Sequence, residues 1–102
     1  MSLIDLPKTA AGLPQGWRSL ALGQVGPACL KVLRMDDMPV EEESHDTPEA
    51  LLVLDGHLAL EVAGRPVSVN QGELYLVPAG THHAVRPGSH GTLVIVDLPE
   101  GP

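Results

Sequence analysis

Residues 43–56 read ESHDTPEALLVLDG and residues 72–83 read GELYLVPAGTHH, and each run joins metal-type polar side chains to a short apolar strand. In the first, Glu43 and His45 stand two apart, so an extended backbone sends both to one face while Ser44 opposes them. Asp46-Thr47-Pro48 then turns the chain, and Glu49 opens the next strand, from which it can swing back to the same side. In the second, the strand Glu73-Leu74-Tyr75-Leu76-Val77 is broken by Pro78-Ala79-Gly80 and delivers His82 and His83. Alternation lets only one of these two face inward, and the spacing from Gly80 favours His83. Two distant strand ends bearing imidazole and carboxylate groups point to one pocket inside a small β-barrel.

Outward from these runs the chain keeps a short rhythm. The segment from Ser2 to Gly16 carries Pro7, Gly12, Pro14 and Gly16, which rule out a long helix and suggest an arm or an edge strand over residues 1–16. Trp17 to Val25 reads as a strand closed by Gly26-Pro27. Ala28 to Arg34 reads as the next, with Leu30, Val32 and Arg34 opposed to Cys29, Lys31 and Leu33. Asp36-Asp37 is a turn signal, and Met38 to His45 is extended and acidic, with Glu41 and Glu42 as a solvated edge. Ala50 to Leu54 is a short aliphatic run ending at Asp55-Gly56, the strongest hairpin signal in the chain. Beyond it, Leu58, Leu60 and Val62 alternate with His57, Ala59 and Glu61. Turns at Ala63 to Pro66 and Asn70 to Gly72, a short strand at Val67 to Val69, a loop at Pro87 to Gly91 and a last strand at Thr92 to Leu98 complete the pattern. Pro99 to Pro102 is expected to fray. About eight or nine short strands without a helical period predict an all-β sandwich or barrel.

The 102 residues make one domain, and with 43% hydrophobic against 19% charged residues it is globular. Phe is absent, so the core is aliphatic. A net charge of -7, with only six Lys and Arg, excludes a phosphate-binding surface; neither nucleic acid nor an anionic membrane is an expected partner. Small neutral or cationic molecules, or a second copy of the chain, fit better. Cys29 is the one cysteine and reads as a buried structural thiol. No run approaches a membrane span and Met1 to Asp5 lacks the marks of a signal peptide, so a cytoplasmic location is expected.

Two imidazoles and a carboxylate from separate strand ends form the set that holds non-haem iron, and that also accepts zinc, manganese, nickel or cobalt. These residues resemble the cupin family. His45, Glu49 and Gly56 are spaced like the latter part of its first motif, while Gly72, Pro78-Ala79-Gly80 and His83 are spaced like its second. The resemblance runs from Met38 to Asp97. It implies a cupin-like double-stranded β-helix, a jelly-roll barrel of the RmlC-like type, with a divalent metal ion (Fe, Mn, Zn or Ni) held by His45, Glu49 and His83. Glu43 stands where a histidine is usual, as a second carboxylate ligand or a solvated charge, and Pro87 stands where asparagine is usual. The resemblance also implies a homodimer.

Two functions follow, beside a purely structural reading in which the barrel's polar pocket is vestigial. One is a metal-dependent enzyme, dioxygenase- or isomerase-like, acting on a small molecule through an open coordination position or through His45 or His83 as base. The other is a non-catalytic module that binds a metal or small molecule for sensing or storage. Metal content, and the survival of activity in a chelator, separate them.

Overall fold

A computed structural model describes residues 3–99. The described residues form one short helix, α1 (Leu6–Ala11), and eight strands: β1 (Leu20–Val25), β2 (Ala28–Met35), β3 (Val40–Glu43), β4 (Glu49–Val62), β5 (Arg65–Asn70), β6 (Leu74–Val77), β7 (His83–Val85) and β8 (His90–Asp97). They pair antiparallel in the order β1-β2-β8-β4-β7-β3, with β5 and β6 also bonded to β4. Strand β4 thus has four partners. Its first half lies between β6 and β8, its second between β5 and β7, and the sheet curls around it into the expected all-β jelly roll.

The Asp55-Gly56 hairpin does not form, and the single 14-residue strand β4 runs through it. Inward burial changes phase along this strand: Leu51 and Val53 face the core before the dipeptide, Leu58, Leu60 and Val62 after it. A bulge between Val53 and Asp55 absorbs the odd residue, while β8 keeps pairing on both sides through Asp55↔Thr92, Gly56↔Gly91 and His57↔His90. Asp55 Oδ1 accepts the Thr92 N–H at 3.1 Å beside the bulge. Gly56 (φ +86°) and Gly91 (φ +101°) let the two backbones close here, because a Cβ on either would strike the opposite main chain. Asp-Gly therefore marks the corner at which the sheet bends.

The N-terminal arm contains a helix where an edge strand was one expectation. Asp5 caps it by accepting the Lys8 N–H at 3.1 Å, Pro7 occupies its first turn and Gly12 closes it. Ala10, 1% exposed, seats it on Val32 and Val94, so the helix covers the outer face of β2 and β8. Residues 17–19 are not in β1. Trp17 takes φ +63° and donates its main-chain N–H to Arg34, and its indole Nε1 donates to Asp36 Oδ1 at 3.0 Å. The fraying expected of Pro99 to Pro102 lies from residue 100 onward outside the described residues, as do Met1 and Ser2.

Between the two halves of the sheet sits an aliphatic core of Leu33, Met35, Leu51, Val53, Leu58 and Leu60 with their neighbours, and Tyr75 packs against it. Leu58 is fully buried, which contributes about 1.5–3 kcal/mol. No helix among the described residues is long and apolar enough to cross a membrane.

Candidate metal centre

Three pieces of backbone meet at one end of the barrel. Strand β3 ends at Glu43, directly opposite His83, the first residue of β7. The bend after His45 returns the chain to Glu49, the first residue of β4. The Gly80 N–H donates to the His45 carbonyl at 2.7 Å, so the runs 43–56 and 72–83 are stapled main chain to main chain. Short loops tied in this way hold the side chains with little freedom left to lose.

The donor atoms of Glu43, His45 and His83 lie within 4.8 Å of one another. His45 Nε2 is 3.8 Å from Glu43 Oε2, His83 Nε2 is 3.8 Å from Glu43 Oε1, and the two rings are 5.7 Å apart. Glu49 adjoins this set through His83, with Oε1 at 3.0 Å from Nε2. All four residues singled out from the sequence are therefore brought together. His82 is turned away, 65% exposed and 3.3 Å from Glu42, whereas His83 is 4% exposed.

The state of the His83 ring follows from its partners. The Thr81 carbonyl, 3.0 Å from Nδ1, can only accept, so Nδ1 carries a proton; Nε2 then presents a lone pair in the neutral ring and pairs with Glu49 in the charged one. That nitrogen is buried and, in the neutral ring, has no hydrogen-bond partner. A positive charge at Nε2, a proton or a metal ion, draws both carboxylates toward this point. The chemistry of these donors, a borderline nitrogen pair with hard oxygens, suits a divalent first-row ion.

Burial pushes the Glu49 carboxyl above its ordinary 4.5; His83 and His45 oppose the rise, and Glu43 and Asp97 add to it. A folded-state value above the unfolded one means that the folded protein holds this proton more tightly. The associated stability is complete below about 4.5 and is lost as pH rises through the folded value. Glu49→Gln is accordingly expected to raise the melting temperature of EDTA-treated protein at neutral pH, with the gap closing as pH falls below the ordinary carboxylate value. Melting curves across pH check this, and a gap independent of pH would contradict it.

Below the four residues lies a cavity of about 300 Å³. Its floor is aliphatic, with Leu33, Leu51, Leu58 and Leu60 among its walls, and Trp17 borders it. Sequence reading missed the rest of the mouth: Lys31 on β2 and Asp97 on β8 face inward and pair at 2.9 Å. A charge alternating into an apolar strand, as Lys31 does between Cys29 and Leu33, was the available signal. Cys29, expected in the core, is only half-buried; it lines the adjoining recess with Lys31, His45, Glu49 and Asp97. It sits at the mouth because Cys29, Asp97 and Glu49 occupy one rung across β2, β8 and β4.

Comparison with known proteins agrees with this fold. The family model for the cupin domain matches residues 34–99. Quercetin 2,3-dioxygenase of Bacillus subtilis (strain 168) is 42% identical over 50 residues, which are 49% of this chain and 15% of the dioxygenase. Among solved structures, a cupin-2 domain containing protein from Shewanella frigidimarina superposes with a TM-score of 0.86 at 18% identity, covering 96% of each chain. Protein NMB1881 from Neisseria meningitidis gives 0.81 at 18% identity over 95% of this chain and 99% of its own. The TT1209 protein from Thermus thermophilus gives 0.77 at 22% over 99% and 100%. At these identities the structures speak for the fold.

Proposed function

This chain belongs to the cupin-domain family, and on that premise we propose that it is a divalent-metal protein acting on a small molecule, with a dioxygenase-like reaction as the specific reading. The observation that carries the metal is the convergence of Glu43, His45 and His83 donor atoms within 4.8 Å of one another, with Glu49 Oε1 3.0 Å from the buried His83 Nε2. His45, His83 and Glu43 would hold the ion and Glu49 would complete the set, so Glu43 acts as a ligand in the place of the family's usual histidine. When bound, the ion supplies Lewis-acid polarisation at an open position.

The chain's own residues do the remaining work. The Thr81 carbonyl fixes the His83 tautomer and ring plane, the role that a carboxylate or carbonyl plays behind most metal-bound histidines. Glu43, 50% exposed, can swing aside without disturbing the barrel, whereas Glu49, 11% exposed, is held. The aliphatic floor takes an apolar body of modest size and excludes water from the polar end. The local likeness to the Bacillus subtilis dioxygenase supports the reaction type.

Metal analysis of the purified protein tests the central claim. We expect close to one equivalent of a first-row divalent ion, removed by a chelator and restored by Fe, Mn, Ni or Zn, with a change in Trp17 fluorescence because that indole borders the cavity. Uptake should release protons and weaken toward acid pH, since the ligands must be unprotonated. Protein that takes up no ion from any of these salts would defeat the reading.

We also propose pairing of two copies in a cytoplasmic setting. Strand β1 is an open edge of the sheet and carries Leu20 and Val25 at 42% and 67% exposure. Size-exclusion chromatography with light scattering is expected to give twice the chain mass; a monomer at all concentrations would remove this proposal.

A further inference from the structure

Lys31 is the one cation lining the cavity among the described residues. It lies in the middle of β2, on the inward face, with an apolar floor beneath it. Its ammonium meets Asp97 Oδ2 at 2.9 Å, with the two side chains 31% and 18% exposed. Taking an ion pair into a barrel costs desolvation that an apolar pair of similar size avoids, so this pair is a poor device for stability. The pair is also incomplete. Asp97 Oδ1 is buried without a partner, and Asp97 takes only one of the three ammonium protons.

The surrounding charges say what the remaining protons face. Glu43, Glu49 and Asp97 oppose Lys31 around one cavity, which leaves two negative charges in excess. A divalent ion cancels them. An entering monoanion then meets no net repulsion and two fixed positive centres, the ion and the ammonium.

We infer that Lys31 anchors an anionic oxygen of the ligand, and that the small molecule taken by this cavity is an organic acid with a short aliphatic body. The metal reading above supplies the other attachment point, and this inference rests on it to that extent. Asp97 is a positioning residue: it holds the ammonium at the cavity wall until the acid arrives. The floor of Leu33, Leu51, Leu58 and Leu60 receives the aliphatic chain.

The test compares 2-oxopentanoate with its neutral amide by calorimetric titration into nickel-loaded protein, with nickel content measured on the same samples. Wild type should prefer the acid by about tenfold or more, as a charge-assisted contact implies. Lys31→Met should bring acid and amide to within about twofold while nickel content stays at the wild-type level, and Lys31→Arg should restore most of the preference. If Lys31→Met folds poorly, the apolar pair Lys31→Met with Asp97→Leu is expected to fold and to show the same loss. Retention of the acid preference in these methionine variants, or its absence in wild type, overturns the inference, as does failure of both probes to bind at millimolar concentration. If wild type takes up no nickel, the metal reading fails separately, and the fall in the acid-to-amide affinity ratio from metal-free wild type to metal-free Lys31→Met still decides the role of Lys31.

Discussion

Replacing His83 by alanine is expected to lower metal affinity by about two orders of magnitude or more, the largest functional effect of any single change at this site. The ring is the innermost donor, and its Nε2 faces both Glu49 and Glu43. Its loss removes the nitrogen and the link that brings the two carboxylates toward one point. The fold should survive, because what disappears besides the donor is one hydrogen bond to the Thr81 carbonyl and some packing, a cost of about 1–3 kcal/mol. A ligand at a hundred times its dissociation constant stabilises a protein by about 2.7 kcal/mol, so added metal should raise the melting temperature of wild type but not of His83→Ala. His82→Ala is the control: its ring is on the outside and metal binding should not change. Equal metal affinity in His83→Ala and wild type would remove His83 from the site.

Gly56→Ala should be among the most destabilising substitutions in the chain although it adds a single methyl group. The residue has φ +86°, and its missing Cβ is the space filled by the His90 carbonyl and Gly91 Cα of β8. Left-handed backbone costs an alanine about 1–2 kcal/mol, and the contact with main chain cannot be relieved by a rotamer change. We expect a loss of about 3 kcal/mol or more, a large share of the about 5–15 kcal/mol typical of a domain. Gly64→Ala, where φ is also positive but no atom lies near, supplies the comparison. Denaturant titration should show a much smaller loss there. Equal losses at both positions would mean that backbone angle alone, rather than the closeness of β4 and β8, sets the cost.

The contact of Gly56 with Gly91 also explains why Asp55-Gly56 has the look of a hairpin turn. An Asp-Gly dipeptide with apolar alternation on both sides has the local chemistry of a hairpin: left-handed φ is available at Gly56, and the inward phase changes across it. A bulge at a sheet corner needs the same two properties. The difference lies in β8, which pairs with β4 on either side of the dipeptide and holds the strand extended through it. That partner is more than thirty residues away, so no window around Asp55 contains the answer. The helix α1 was missed for the opposite reason. Its cap at Asp5 and its first-turn proline are local signals, outweighed in the reading by the density of breakers that follow.

The candidate site was far more legible. Glu43, His45, Glu49 and His83 were each singled out from spacing and strand alternation, and the structure places their side chains together. Lys31 and Asp97 were not found because a charge on an apolar strand does not announce its partner, and the two are 66 residues apart. Cys29 was placed in the core for the same reason: its neighbours are apolar, yet its rung of the sheet opens at the mouth of the barrel.

Side-chain alternation and turn chemistry, which act over a few residues, were enough to determine that this chain makes short antiparallel strands with an aliphatic interior and carries its imidazoles and carboxylates at strand ends. Only the tertiary structure decided which strands run on through a corner, which charges turn inward, and that the buried His83 Nε2 faces the Glu49 carboxylate. Those outcomes depend on register between distant strands, and register is fixed when the whole sheet closes.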